Sequence, residues 1–141
     1  MVTKTTSKKE AGERYFEGIG RRKTASARVR ITPGSKESFI INEKSLSDYF
    51  QVEALQQIVK SAPEGAQIAQ KFAVSVHVNG GGIHAQAEAI RHGYSRAIVK
   101  YDVNLKENLK KAGFLKRDSR AVERKKPGLK KARKAPTWSK R

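Results

Sequence analysis

The stretch KFAVSVHVNGGGIHAQAEAIRHGYSRAIVKY, residues 71–101, contains two hydrophobic patterns separated by a run of glycines. From Lys71 to Val78, phenylalanine and valine alternate with small or polar residues, which is typical of a half-buried strand. From Ile83 to Tyr101, apolar residues recur at the spacing of an amphipathic helix. A strand, a tight break from Asn79 to Gly82 and a long helix together predict a mixed α/β domain.

The sequence before this stretch indicates further strands. Aromatic and aliphatic residues mark a first strand between positions 15 and 19, and Ala25 to Ile31 alternates apolar residues with serine and arginine. This alternation predicts one apolar and one cationic strand face. Pro33-Gly34 is predicted to end the strand in a turn, and Phe39 to Ile41 to form the next one. We expect these three strands to form one unit.

Capping patterns predict two shorter helices. Ser45 and Asp48 form a variant of the capping box before a segment with helical spacing, and Pro63 to Gly65 is predicted to end that helix. Asn104 is the predicted cap of a second short helix that ends at Gly113.

The net charge of +18 is unevenly distributed over the 141 residues, a length that fits one domain. Residues 37–88 hold 3 cations and 6 anions, whereas residues 110–141 hold 14 cations and 2 anions. A segment with that charge density and few apolar residues cannot build a core. We therefore expect a flexible N-terminal extension over residues 1–14, a globular α/β domain over 15–113 and an extended basic tail over 114–141.

The basic tail is predicted to be disordered when free and to become ordered along a polyanion. Nucleic acid is the favoured partner, although a solubilising or localisation segment has a similar composition. Trp138 lies in this tail, where its ring can stack on a base or pack against a neighbouring protein. The sequence leaves both roles open.

Parts of the domain are predicted to extend the basic surface. The cations concerned are Arg28, Arg30, Arg91 and Arg96, and ordinary solvated charge is the alternative interpretation. Gly18 and Gly20 would let the backbone approach a sugar-phosphate chain beside Arg21, Arg22 and Lys23. Asn79 to Gly82 could cradle a phosphate at the start of the helix, or form a tight turn and nothing more.

Several function classes are excluded. The chain has no cysteine, and its histidines, His77, His84 and His92, lack the spacing of a metal site. No carboxylate pair indicates acid/base catalysis, and GIGRRK does not fit a P-loop. We expect no enzyme activity, no metal, no cofactor and no small-molecule substrate. Residues 1–14 lack the apolar run of a signal peptide and no membrane-spanning run follows, so the expected compartment is the cytoplasm.

Several short segments together match one known family. They are Gly18-Ile19-Gly20-Arg21-Arg22-Lys23-Thr24-Ala25, Gly80-Gly81-Gly82, Ala89-Ile90-Arg91, Asp118-Ser119-Arg120, Glu123-Arg124-Lys125-Lys126, Pro127-Gly128, Lys131-Ala132-Arg133 and Ser139-Lys140-Arg141. Over all but its first 14 residues, the chain resembles the ribosomal protein S9 family in its bacterial form.

The resemblance implies a fold, a location and partners. The implied fold is a two-layer α/β sandwich like the second domain of ribosomal protein S5, with a left-handed β-α-β crossover and a long basic C-terminal tail. The implied location is the head of the small ribosomal subunit, against ribosomal RNA and other head proteins. The tail would reach the anticodon stem-loop of peptidyl-site tRNA during translation.

The resemblance also implies residue roles. The implied ribosomal RNA ligands are Arg21, Arg22, Lys23, Arg28, Arg30, Arg91, Arg96, Lys116, Arg117, Arg120, Arg124, Lys125, Lys126, Lys130, Lys131, Arg133 and Lys134. The implied tRNA contacts are Ser139, Lys140 and Arg141. The family commonly has phenylalanine where this chain has Trp138, so an aromatic ring is kept there.

Two alternatives remain open at the level of sequence. The charge alone fits a DNA-compacting, histone-like protein equally well, because phosphate contacts do not distinguish the two sugars. An enzyme acting on nucleic acid would need a carboxylate or metal cluster that the sequence does not show. Co-sedimentation with small ribosomal subunits separates the first alternative from a ribosomal protein.

Overall fold

The structure is a computed structural model that describes residues 14–141, so the predicted N-terminal extension falls almost entirely outside it. Within that range the strands are β1 (Phe16–Arg22), β2 (Ala25–Gly34), β3 (Ser38–Ile41), β4 (Lys44–Ser45) and β5 (Lys71–Asn79). The helices are α1 (Leu46–Tyr49), α2 (Glu53–Ala66), α3 (Ile83–Tyr101) and α4 (Lys106–Lys111). The strands form one mixed sheet in the order β1-β2-β5-β3-β4.

The helices cover one face of this sheet. Alternate residues of β2 from Ala25 to Ile31 are buried, whereas Ser26 and Arg28 between them are exposed. α3 packs on β1 and β2, and α2 packs on α3. The predicted mixed α/β domain is confirmed, as is the division of β2 into an apolar and a cationic face.

The predicted turn at Pro33-Gly34 is wrong, because both residues belong to β2. Pro33 lies opposite Phe72 and Gly34 opposite Lys71 of β5. β1 ends its pairing at Ile31, so Pro33 has a neighbouring strand on one side only. A residue without an N–H group is tolerated where one side of a strand is free. The turn follows at residues 35–37.

The predicted unit of three consecutive strands is also wrong, because β5 lies between β2 and β3. β3 pairs with β5 in parallel, from Ser38 opposite Ala73 to Ile41 opposite Val76. Asn42 continues this pairing beyond the end of β3. Its Nδ2 donates to the Val78 carbonyl at 2.9 Å, and its Oδ1 accepts from the Val78 N–H at 3.0 Å.

Of the predicted capping box, the N-cap role of Ser45 is confirmed, but the helix that follows is divided. Ser45 Oγ accepts from the N–H of Asp48 at 3.2 Å and caps α1. The chain is extended at Phe50 and Val52, after which α2 begins. Pro63 does not end α2, which continues to Ala66 and stops at Gln67 in a left-handed conformation.

α3 has the predicted bounds and lies unusually close to β1. A Cβ atom added at Gly18 would lie 2.1 Å from the Gly93 carbonyl oxygen, and one added at Gly20 would lie 1.8 Å from that of Ala89. The glycines therefore serve the contact between strand and helix. The predicted approach of this backbone to a sugar-phosphate chain is wrong, because α3 occupies the space.

The prediction that Asn104 caps the last helix is wrong, because Asp102 caps a 3-10 turn there and α4 itself begins after Leu105 without a side-chain cap. Asp102 Oδ1 accepts from the N–H of Asn104 at 2.9 Å and starts a short 3-10 turn that precedes α4. Leu109 anchors α4 in the core, and Gly113 follows with φ of 77°. This left-handed glycine ends the helix as predicted. Of the helices in residues 14–141, none is long and apolar enough to cross a membrane.

Candidate nucleic-acid interface

The open face of the sheet carries exposed cations beside apolar side chains. Arg28 of β2 lies between Ile19 of β1 and His77 of β5 in the pairing register. All three are exposed, Ile19 by 47%. Arg21 of β1 is exposed on the same side. This face offers cations together with groups that can contact sugar or base, as a nucleic-acid surface requires.

Arg30 is on the same face but has protein partners. Its Nε donates to Glu17 Oε2 at 2.7 Å, and its guanidinium lies 4.6 Å from the centre of the Tyr15 ring. The hydrogen bond from Arg30 lowers the pKa of the Glu17 carboxyl. Arg30 therefore brings less free charge to the surface than Arg28 does.

Side chains of α3 form hydrogen bonds with two backbone groups on the free edge of β1. Arg96 Nη1 donates to the Ile19 carbonyl at 2.7 Å, and the N–H of Arg21 points to His92 Nδ1 at 3.4 Å. Arg21, Arg96 and Lys100 line one exposed groove along this edge. The structure thus brings together cations that are 75 residues apart in the sequence. The helical pattern places Lys100 on the polar side of α3 with Arg91 and Arg96, but Lys100 was not among the predicted RNA ligands.

Arg22 and Arg91 are only partly accessible, as Arg30 is, whereas the other predicted ligands are exposed. The Arg22 side chain is only 12% exposed, and it contacts Glu88 of α3 and Asp118 beyond α4. Arg91 is half-buried, with its guanidinium 4.9 Å from the centre of the Phe114 ring. Lys23, in contrast, is exposed at the turn between β1 and β2, with φ of 51°.

The segment after α4 has two parts. Residues 114–120 contact the domain, whereas residues 121–141 contain turns but no helix or strand. The predicted cations of this segment are exposed throughout. They are Lys116, Arg117, Arg120, Arg124, Lys125, Lys126, Lys130, Lys131, Arg133, Lys134, Lys140 and Arg141. Ser139 is exposed as well, and Trp138 is 80% exposed.

Both carboxylates of residues 110–141 are paired with arginines of the same chain. Arg120 contacts Asp118 through Nε and Nη2, the latter at 2.9 Å. Arg133 holds Glu123 with two hydrogen bonds, one of them from Nε at 2.8 Å, and this lowers the pKa of Glu123. The other cations thus face solvent in a segment whose few anions are already neutralised.

The glycine turn before α3 is tight, as one of the two interpretations predicts. Gly80 and Gly81 have φ of 76° and 65°, and a Cβ at Gly80 would lie 2.6 Å from the Thr24 carbonyl oxygen. Gln86 donates to the Gly80 carbonyl at 3.1 Å. Phosphate binding at this turn stays a prediction.

The three histidines lie at separate places. His77 is exposed on β5, His84 is exposed in the first turn of α3, and His92 is half-buried beside Arg21. No group of three or more histidine, aspartate or glutamate side chains in residues 14–141 is arranged to hold a metal ion.

Residues 20–141 match the family model described as ribosomal protein S9/S16. The match covers most of the chain, including the helices, the sheet except residues 16–19 of β1, and the whole basic segment after α4. It agrees with the resemblance that the short sequence segments indicated.

Proposed function

The chain belongs to the ribosomal protein S9/S16 family, and from this premise we propose which RNA is bound by its domain and which by its basic tail. As a member of that family it is a structural constituent of the small ribosomal subunit and binds ribosomal RNA. In our proposal, the domain binds RNA of the subunit head in the cytoplasmic ribosome through the exposed cations of β1, β2 and α3. The tail continues this contact and ends at the anticodon stem-loop of peptidyl-site tRNA. The domain in this proposal has the left-handed β-α-β crossover that the resemblance implies.

One observation carries the proposal most strongly. Residues 121–141 hold exposed cations on a segment without helix or strand, and their one carboxylate, Glu123, is paired with Arg133. Like charges at this density repel one another, so the segment needs an external anion to keep one conformation. RNA phosphates supply that anion at regular spacing.

The chemistry at the C-terminus supports a contact with tRNA. Ser139, Lys140 and Arg141 are all exposed. The Arg141 guanidinium can bind a phosphate through two parallel hydrogen bonds, and Lys140 supplies a compact second charge. The domain cations and the cations of residues 116–134 are left for ribosomal RNA.

Deleting Lys140-Arg141 tests the tRNA contact. Small subunits reconstituted with the shortened chain should assemble normally but bind peptidyl-site tRNA at least about tenfold more weakly, because a hydrogen bond to a charged group contributes about 1.5 to 3 kcal/mol. The matched control removes two exposed charges outside the predicted RNA ligands, Lys106→Gln with Lys110→Gln in α4, and should leave tRNA affinity close to that of the parent. Unchanged tRNA affinity on deletion would reject the contact.

Trp138 gives a second measurement at the same end of the tail. It is the only tryptophan of the chain, so its fluorescence reports on this position alone in the isolated protein. Binding to an anticodon stem-loop should quench this fluorescence if the ring stacks on a base. An unchanged spectrum on binding would favour packing against a protein in the assembled subunit.

A further inference from the structure

A four-residue ion-pair network joins the start of the tail to the domain. Arg22 of β1 contacts Glu88 of α3 through Nε at 2.5 Å and Asp118 through Nη2 at 3.3 Å. Its Nη1 also donates to the Arg120 carbonyl at 2.6 Å. Asp118 in turn holds the Arg120 guanidinium at 2.9 Å and accepts from the Arg120 N–H. One guanidinium thus binds a strand, a helix and the tail together.

Phe114 fixes the same segment from the other side. A Cβ atom added at Gly65 of α2 would lie 2.4 Å from Phe114 Cε2, so the ring occupies the place of a side chain there. Arg91 covers the ring, and the Phe114 N–H donates to the Leu109 carbonyl at 3.1 Å. We call residues Phe114 to Arg120 the tail root, because they are the part of the basic segment that contacts the domain.

Arg22 is the central and least exposed member of the network. The Arg22 side chain is 12% exposed, Glu88 22%, Asp118 33% and Arg120 86%. Two arginines and two carboxylates make the network neutral, which allows this part of a strongly cationic segment to lie against a cationic domain. The hydrogen bonds from Arg120 and the charge of Arg22 hold the pKa of Asp118 well below its usual range.

Arg22 cannot bind an RNA phosphate while it holds this arrangement. To bind RNA, Arg22 would have to leave Glu88 and Asp118 and expose a guanidinium that is now covered. Leaving the partly buried Glu88 without its arginine, and Asp118 with Arg120 alone, costs free energy. Arg21 and Lys23, its neighbours in the sequence, are already exposed and can bind phosphate without any such loss.

We propose that Arg22 and Asp118 are positioning residues that fix the direction in which the tail leaves the domain. They hold the tail root against β1 and α3 in the free protein, before any RNA is bound. The flexible part of the tail therefore starts after Arg120 and not after Gly113. A fixed tail root leaves a shorter segment for RNA to order and fixes the direction in which that segment leaves the domain. This matters for the tRNA contact, which rests on the proposed function.

The test measures a distance in the free full-length protein. The chain has no cysteine, so spin labels can be placed at Lys60→Cys on α2 and at Val122→Cys just beyond the tail root. Pulsed electron paramagnetic resonance should give one narrow distance distribution for the parent. Asp118→Asn should broaden it several-fold, because the eight residues from Leu115 to Val122, freed beyond the Phe114 anchor, can extend over roughly 26 Å.

The matched control is Glu123→Gln, which removes the other tail carboxylate but not the network. It should keep the narrow distribution. Arg22→Gln should broaden the distribution like Asp118→Asn, and the double variant should add nothing further. Arg22→Lys, which keeps the charge, provides a variant for the case that Arg22→Gln does not fold by circular dichroism. It should broaden the distribution as well, because lysine cannot hold both carboxylates in the same geometry.

The proposal is overturned if the parent distribution is already broad, if Asp118→Asn leaves it narrow, or if Glu123→Gln broadens it equally. None of these results depends on tRNA. Reconstituted subunits then connect the two proposals: Asp118→Asn should weaken tRNA binding several-fold while Glu123→Gln does not. If distances behave as expected but the Lys140-Arg141 deletion leaves tRNA binding unchanged, the positioning role stands and the tRNA contact fails.

Discussion

The glycines at positions 18, 20 and 93 allow the backbones of β1 and α3 to touch. A Cβ at Gly20 would lie 2.4 Å from the Gly93 N–H nitrogen and still closer to the Ala89 carbonyl oxygen. Both contacts are with backbone, which cannot rotate away as a side chain can. Glycine is therefore required here by packing, although its backbone conformation is an ordinary extended one.

Gly20→Ala should destabilise the domain by about 3 kcal/mol or more, at the upper end of the cost of overpacking. Urea unfolding of the full chain measures this. The matched control is Gly34→Ala at the end of β2, where the nearest atom to an added Cβ is 3.6 Å away. That variant should stay within about 0.5 kcal/mol of the parent. Equal stability of Gly20→Ala and Gly34→Ala would contradict the close contact.

His92 should make the stability of the fold depend on pH. Burial lowers its pKa from the ordinary value of 6.5, and the charge of Arg96 lowers it further. Arg117 acts in the same direction, whereas a backbone hydrogen bond to Leu115 opposes it. The folded state thus favours the neutral ring, and the unfolded chain takes up the proton more readily.

The sign of the effect follows from that difference. Neutral His92 contributes to the free energy of unfolding, and this contribution is fully present above the pKa that His92 has in the unfolded chain. It is lost as the pH falls from about 7 through the lower pKa that His92 has in the folded state. The urea midpoint should therefore decrease from about pH 7.5 to about pH 5.5, where ordinary carboxylates stay ionised. In His92→Gln the decrease should be smaller. An identical pH dependence in both proteins would show that His92 does not titrate with folding.

At the scale of elements, the side chain of Asn42 extends the pairing of β3 and β5 by one position. Asn42→Ala removes two hydrogen bonds to Val78 and leaves a residue with φ of 46° that alanine adopts poorly. We expect a loss of about 1 to 3 kcal/mol. Thermal or urea unfolding measures it. Asn104→Ala, at an exposed position, is the control and should stay within about 0.5 kcal/mol of the parent.

Local patterns predict α3 and β5 well because each shows one period without interruption. Ile83 and Tyr101 are the observed ends of α3, and Lys71 starts β5 as expected. The division between α1 and α2 has no such signal, because Leu46 to Val59 keeps helical spacing across the break. The place of β5 between β2 and β3 depends on long-range pairing, which alternation alone does not encode.

The candidate interface divides in the same way. Exposed cations such as Arg28 could be identified from alternation on a strand, and the tail from charge density. The ion pairs of the partly buried Arg22 could not be identified from the sequence, because they involve Glu88 and Asp118, which lie 66 and 96 positions away. The one available signal is that Asp118 is among only two carboxylates in residues 110–141.

At the scale of the whole molecule, the charge is polarised. Residues 37–88, which include β3, β4, α1 and α2, are net acidic, whereas the edge at β1, α3 and the tail are basic. An RNA chain is therefore attracted to one side of the domain and to the tail, and is repelled by the other side. We expect this arrangement to set the orientation of the protein on its RNA.

RNA binding should depend strongly on salt. If about eight cations engage, the logarithm of the binding constant should fall against the logarithm of salt concentration with a slope of about −6 to −7. Replacing Arg124, Lys125 and Lys126 by glutamine should make the slope shallower by about 2 to 3. Lys60→Gln, on the acidic side, should leave it unchanged. A slope shallower than about −2 for the parent would contradict binding through the tail.

The central claim is that residues 121–141 gain their structure from RNA. Amide hydrogen exchange on the isolated protein and on assembled small subunits tests it directly. In the isolated protein these amides should exchange at the rate of an unfolded peptide, while those of β5 and α3 stay protected. In the subunit the same tail amides should exchange at least about tenfold more slowly. Protection already present in the isolated protein, or none in the subunit, would contradict the account.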